Sequence, residues 1–284
     1  MNHLLHPELV QNIPIIGDRA VIALNDRASE VAADTTPDAP VTVGIRTFNE
    51  APKLERLLQD VSAQVVRSEV EVVVIDNEST DHTRAVVREY GAELVTLPRD
   101  EFTYPHSMNL AMQAASHDTV FLTVAHALLS TSQTLRAGAR HFQPESSVAG
   151  VYATVLPTEN ASKTDRWLDV IYDQGLFKSP QKIRKAGMGV MGATGAMFSR
   201  AVWEKLGRFD ERYQTGGEDT ALARAMLASG HELVSEPALA VHHAHGLGFL
   251  ATVKELKHFA DTLRGPRSLH GDILAARQAR FETE

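Results

Sequence analysis

The residue types that could do chemistry sit at a few points of the chain. DNESTDHT (76–83) gathers Asp76, Asn77 and Asp81 after an apolar run. A carboxylate there can accept hydrogen bonds from a base N–H or a ribose hydroxyl. Asp81 also has the spacing of a helix cap, a purely local use. RTFNE (46–50) brings Thr47 and Glu50, and GGED (216–219) brings Glu218 and Asp219 at the start of a helical pattern. His126 closes the run FLTVA (121–125), where an acidic group would be expected to hold a metal or a phosphate. His242, His243 and His245 close a second run. Imidazole suits softer divalent ions such as Mn²⁺ or Zn²⁺, although a lone histidine is more often structural. No Gly-x-Gly-x-x-Gly follows the first strand and no Gly-Lys-Ser/Thr phosphate loop exists, which disfavours a nicotinamide or flavin Rossmann enzyme and a P-loop enzyme.

These points need strands and helices to hold them. VTVGI (41–45), VEVVVID (70–76), AELVTL (92–97), TVFLTVA (119–125) and SVAGVYATV (147–155) read as short strands. Between them, residues 51–65 place Leu54, Leu57, Leu58, Val61 and Val65 at helical spacing, with Pro52 suited to a first turn. Helices are expected over 79–91, 106–116 and 131–142 as well. This alternation predicts an α/β fold with a mainly parallel central sheet and helices on both faces. Ligands then gather at the carboxyl ends of the strands, where the polar residues above lie. Further on, 199–211 reads as a short helix and turn and 216–230 as a helix. Residues 231–245 read as two short strands, and 251–263 as helical. Residues 1–39 form an N-terminal extension whose 13–34 segment holds a short strand or helix, and TTPDAP (35–40) reads as a linker.

Composition narrows the classes. With 284 residues, 43% hydrophobic and 23% charged, the chain is long enough for one large α/β domain or two small ones. A net charge of −8 argues against a general nucleic-acid binder, and KSPQKIRK (178–185) is the one evident basic stretch. There is no cysteine, so disulfides and thiolate metal sites are excluded. No run of 18 apolar residues exists to span a membrane. A signal-peptide pattern is also missing, so a cytoplasmic protein, with peripheral membrane association left open, is the expectation.

Three ordered blocks carry a resemblance: VTVGIRTFNEAPKLERLLQDV, VVVIDNESTDHTRAVVREYGAELVTL, and GATGAMFSRAVWEKLGRFDERYQTGGEDTALARAMLASGHELVSEPALAVHHAH. Together they resemble a family 2 glycosyltransferase of the GT-A fold from about residue 41 to about 246. EFTYPHSMNLAMQAASHDTVFLT resembles its rhamnosyltransferase-like branch, where Phe-x-x-x-x-Ser-x-Asn precedes the metal strand. The resemblance implies a domain over 40–246 and a separate tail over 247–284. It also implies transfer of a sugar from a nucleotide-diphosphate donor with inversion at the anomeric carbon. The acceptor would be a glycan, a lipid-linked sugar or a small metabolite, and a homo-oligomer is left open. By the same resemblance Thr47, Glu50 and Asp76, with Asn77 beside it, line the nucleotide pocket. Glu218 and Asp219 match the pair that carries the catalytic base. An N-terminal helix position lowers a carboxylate's basicity, so burial has to counter it at Asp219.

Two departures stand out. Where the family carries Asp-x-Asp, or a single Asp before Ala, this chain reads Thr123-Val124-Ala125-His126, and Met108 stands where the branch often has arginine. Mg²⁺ prefers carboxylate oxygens. The expectation is therefore Mn²⁺ over Mg²⁺, held by His126 with His243 or His245. A metal-independent site is the alternative, with Lys182, Arg184 or Lys185 holding the diphosphate. The competing functional class is a nucleotide-sugar-binding or interaction module without catalysis.

Overall fold

A computed structural model describes residues 2–13, 16–159, 161–162, 174–187, 190–214, 216–244 and 257. Apart from residue 257, the expected helical tail lies outside them, as does His245. Among the described residues the chain runs α1 (Pro7–Gln11), α2 (Gly17–Ala33), β1 (Val41–Thr47), α3 (Ala51–Ser62), β2 (Val70–Asp76), α4 (Thr83–Glu89) and β3 (Glu93–Thr96). It continues through α5 (Tyr104–Ala114), β4 (Thr119–Val124), β5 (Leu128–Leu129), α6 (Thr134–Ala139), β6 (Val148–Leu156) and β7 (Gln181–Ile183). It then forms β8 (Ala196–Ser199), α7 (Arg200–Lys205), α8 (Glu218–Ala228) and β9 (Glu232–His242).

The strands form one sheet in the order β3-β2-β1-β4-β8-β6-β9-β5, with β7 beside β9. From β3 to β4 every pairing is parallel. Beyond β4 the sheet is mixed: β8 is antiparallel to both β4 and β6, while β9 is parallel to β6. The parallel half follows from strand-helix alternation. The mixed half arises because β8, buried at all four positions, returns from the segment after β6 and reverses direction. Residues 231–245 do not make two strands. β9 runs unbroken to His242, and its register against β6 shifts between Ala153 and Thr154, opposite the segment that contains Pro237. Proline cannot donate to a ladder, so the irregularity falls where the backbone N–H is missing.

Both faces of the parallel half are covered. Val43, Ile45 and Val74 pack with Leu54, Leu57 and Leu58 of α3. Val73, Ile75, Val120 and Leu122 pack with Met108, Ala111 and Met112 of α5 on the other side. α5 lies close on the sheet, since a Cβ on Gly44 would stand 3.0 Å from Ala111 Cβ and 3.0 Å from a Leu122 methyl. The segment before β1 is docked rather than loose. Leu4, Val10, Ile13, Ala20 and Leu24 form a third cluster with Leu156, Leu176 and Ala240. Asp38, in the stretch read as a linker, is buried and bonded to Arg136 of α6.

Candidate active site

The parallel register brings the first site residues level. Thr47 at the end of β1 lies opposite Asp76 at the end of β2. Asp76 is fully buried and accepts hydrogen bonds from the Ser79 backbone N–H (3.1 and 3.3 Å to its two oxygens) and from Arg84 Nε at 2.6 Å. The Thr47 hydroxyl is buried without a hydrogen-bond partner among the described residues. Asn77 turns its amide away, donating to the Leu97 and Pro98 carbonyls at 3.0 and 3.2 Å. Asp81 accepts from the Thr83 N–H at 2.9 Å and the Ala51 N–H at 3.2 Å, tying together the first turns of α4 and α3. Burial pushes its carboxyl up, and the bonds from Thr83 and Ala51 outweigh that and hold it below the ordinary range. That is the local, capping use of Asp81.

His126 follows β4 and meets two partners. Its Nδ1 lies 2.9 Å from Glu50 Oε1, and its Nε2 lies 3.2 Å from His243 Nε2. The two rings are stacked with centroids 5.0 Å apart and planes 26° apart. Burial raises the Glu50 carboxyl, but the His126 bond and charge, with Lys53, outweigh it and hold Glu50 low. In the neutral tautomer whose Nδ1 proton goes to Glu50, the Nε2 lone pair of His126 faces His243. Strand alternation sends His242 the other way. Its Nδ1 donates to the Pro157 carbonyl at 2.8 Å, and burial pushes its pKa down to about 4.

The two facing Nε2 atoms permit a test of metal fit. Imidazole nitrogens bind zinc at about 2.0–2.1 Å, so two on one ion stand a little over 3 Å apart, as these do. Yet no group of three histidine, aspartate or glutamate side chains among the described residues could hold a metal. The pair therefore fits two positions of a borderline ion, with the rest left to ligand oxygens. It does not fit the all-oxygen shell that Mg²⁺ favours.

Asp219 is the second residue of α8, which opens on Glu218 after Gly217, whose φ of 102° lets the chain turn into the helix. Burial raises its carboxyl above the ordinary range, opposed by the Thr220 N–H at 2.5 Å, by Arg46 and by the Ala193 N–H. Glu218 beside it is 4% exposed. Arg46, the residue before Thr47, lies with its guanidinium carbon 5.0 Å from the centre of the Tyr104 ring. Its charge is felt by Glu218, Asp219 and Glu50.

The Ser-x-Asn pair acts from behind the site. Asn109 is buried and accepts from Trp203 Nε1 at 3.2 Å and from the Phe209 N–H at 3.0 Å. It donates to the Phe209 carbonyl and to Glu211 Oε1. This amide fastens the 209–211 loop, which leads toward Glu218-Asp219, onto α5. Met108 is buried in the core beneath α5.

The structure thus brings Glu50, His126 and His243 into direct contact, and Thr47 next to Asp76. Charge reaches between Glu50, Glu218 and Asp219 through Arg46. Lys182 lies elsewhere, paired with Glu232 at 2.6 Å on β7, which runs along the first residues of β9, the end of that strand away from His242. Arg184 and Lys185 are exposed. Reading the sequence missed Arg46 and Tyr104. The signal for Arg46 was a charged residue inside an otherwise apolar strand.

A family model described as "Glycosyltransferase like family 2" matches residues 37–258. An O-antigen chain rhamnosyltransferase, WbaN of Salmonella anatum, is 27% identical over 181 residues, 62% of this chain and 56% of that protein. The chain therefore spans little more than half the length of this relative. Among solved structures, the mannosyltransferase PcManGT from Pyrobaculum calidifontis, in complex with GDP-Man and Mn²⁺, superposes with a TM-score of 0.56 at 23% identity. That match covers 91% of this chain and 77% of the other. Residues 1–349 of S. aureus TarS superpose with a TM-score of 0.55 at 18% identity, covering 72% and 60% of the two chains. These likenesses place the fold among the GT-A glycosyltransferases. Among the described residues no helix is long and apolar enough to cross a membrane.

Proposed function

The chain belongs to the glycosyltransferase-like family 2, and from that premise we propose that it is an inverting transferase with Asp219 as general base. In this reading Thr47 and Asp76 receive the nucleoside of a nucleotide-diphosphate donor. The acceptor hydroxyl gives its proton to an Asp219 oxygen, and its oxygen forms a bond to the anomeric carbon from the face opposite the diphosphate. The carbon–oxygen bond to the diphosphate breaks, and the electron pair leaves with it. The observation that carries the reading is Asp219 itself, a carboxylate kept basic by burial although it sits in the first turn of a helix. A carboxylate raised above its ordinary range is the better proton acceptor.

His126 and His243 are the residues that would hold a divalent ion, with Glu50 fixing the His126 tautomer. A bound ion there would neutralise charge on the departing diphosphate. His245 lies outside the described residues, and Mn²⁺ is proposed over Mg²⁺ because the donors are nitrogens. The likeness to an O-antigen chain rhamnosyltransferase makes a nucleotide-linked rhamnose and a glycan acceptor the first pair to assay.

The test is Asp219→Asn with donor affinity and turnover measured separately. Turnover should fall by about 10²–10⁴-fold with donor affinity nearly unchanged. A variant that loses donor affinity and keeps its turnover moves the base elsewhere. A wild-type chain that binds a donor but neither transfers nor hydrolyses its sugar favours the binding-module reading.

A further inference from the structure

Arg46 is placed as a ligand-binding group would be. It lies on β1, opposite Ile75 on one side and Val124, the last residue of β4, on the other, one residue before Thr47. Its Nε is buried without a hydrogen-bond partner among the described residues. The contact it makes is with the face of Tyr104, which supports a cation without using its N–H donors. A buried donor left unpaired is costly, and more so on a charged group. Glu218, Asp219 and Glu50 surround it at electrostatic range and favour its charge, against burial, which disfavours it. The result is a guanidinium with a buried, unbonded Nε, stacked on Tyr104 and within electrostatic range of both Glu50 and the proposed base.

An anionic donor entering this site would meet those three carboxylates. Lys182, the central cation of the basic stretch, is engaged with Glu232 away from the strand ends. Lys53 pairs with Glu50 alone, at 3.3 Å, whereas Arg46 is within electrostatic range of all three. Its five N–H donors in one plane match two oxygens of a phosphate.

We propose that Arg46 is a donor-binding residue that takes oxygens of the donor's diphosphate on its guanidinium, with Tyr104 backing the fork. This rests on the nucleotide-donor reading above. It assigns the second phosphate, rather than the base or ribose, to Arg46.

The experiment is calorimetric titration of the full chain, with and without Mn²⁺, against UDP, GDP, ADP, CDP and dTDP and the monophosphate of each. Wild type, Arg46→Gln and Arg46→Lys are compared. Wild type should bind at least one diphosphate more tightly than its monophosphate. Arg46→Gln should weaken that diphosphate by about 10–100-fold and its monophosphate by less than about twofold. Arg46→Lys, which keeps the charge and loses the planar fork, should fall between, and it carries the test if the glutamine variant does not fold. Equal losses for diphosphate and monophosphate, or no loss, overturn the assignment and leave Arg46 as a tuner of the Asp219 carboxylate. A wild-type chain that binds none of the panel overturns the donor reading itself.

Discussion

Two arginines divide the molecule into a part built to hold and a part built to act. Arg136 sits where α6 meets the segment before β1, with its side chain 1% exposed. Each of its three nitrogens donates within the protein. Nε reaches both Asp38 oxygens at 2.9 and 3.1 Å, one terminal nitrogen donates to the Val31 carbonyl, and the other to the Asp34 carbonyl at 2.6 Å. Arg46 rests on an aromatic face and leaves its buried Nε unpaired. A buried charge repays its desolvation only when its bonds are made. The first arginine makes them within the protein. The second holds them back, the pattern expected where stability is given up for a ligand.

Substitution can break or sharpen this contrast. The largest effect is expected at Arg136→Ala, which strands the buried Asp38 charge and should cost about 3–5 kcal/mol in urea unfolding. Arg46→Gln should move the same measurement by less than about 1 kcal/mol in either direction, because no hydrogen bond within the protein is lost. Equal destabilisation by the two would erase the distinction. Next comes Asn109→Ala, which leaves Trp203 Nε1 and the Phe209 N–H without their acceptor. It should cost about 1–3 kcal/mol and lower turnover by loosening the chain ahead of Asp219.

The pH profile sharpens the acting side. Burial raises the Asp219 carboxyl and Arg46 lowers it. The base must be ionised, so turnover should fall on the acid side through a pH above the ordinary carboxylate range. Arg46→Gln removes a cation and should move that limb to higher pH. A limb unmoved by Arg46→Gln, and still present in Asp219→Asn, belongs to another group. The smallest effect is on the holding side. Bonds from Thr36, with Arg140 nearby, lower Asp34 from 3.8 to about 2. Its contribution is complete above pH 3.8 and is lost as the pH falls through about 2. Asp34→Ala should therefore cost about 1 kcal/mol at neutral pH, with the difference from wild type closing on acidification in the same unfolding assay.

Much of the holding side was legible in the sequence, because its signals are local. Leu54, Leu57, Leu58 and Val61 are buried along α3 as their spacing predicted. Val65, grouped with them, lies beyond the helix and is 54% exposed. The helix expected from 79 begins at Thr83, since Ser79 and Asp81 spend their polar groups on the loop between β2 and α4. α5 begins at Tyr104, earlier than expected, because Thr103 accepts from the His106 N–H and Pro105 tolerates the first turn. The family and fold could be read from ordered blocks of residues. What could not be read was pairing across distance. Nothing near Glu50 in the chain points to His126, 76 positions on, and nothing near Arg46 marks it as a guanidinium without a bond. The antiparallel return of β8 and the docking of Asp38 onto Arg136 are long-range facts of the same kind.

The N-terminal residues also finish the sheet. β5 is the outermost strand beside β9 and only two residues long. Past it, Leu4 bridges to Thr131, the Leu5 N–H donates to the Ser130 carbonyl, and the Ser132 N–H donates to the His3 carbonyl. An uncovered strand edge is a template on which other chains can add. Residues 3–5 occupy the stretch just past β5, and within β5 the Leu129 N–H is taken by the Asp60 carboxylate at 3.0 Å. Removing them would expose unpaired backbone groups two strands from His243, and the first symptom of such a truncation would be self-association rather than loss of the fold.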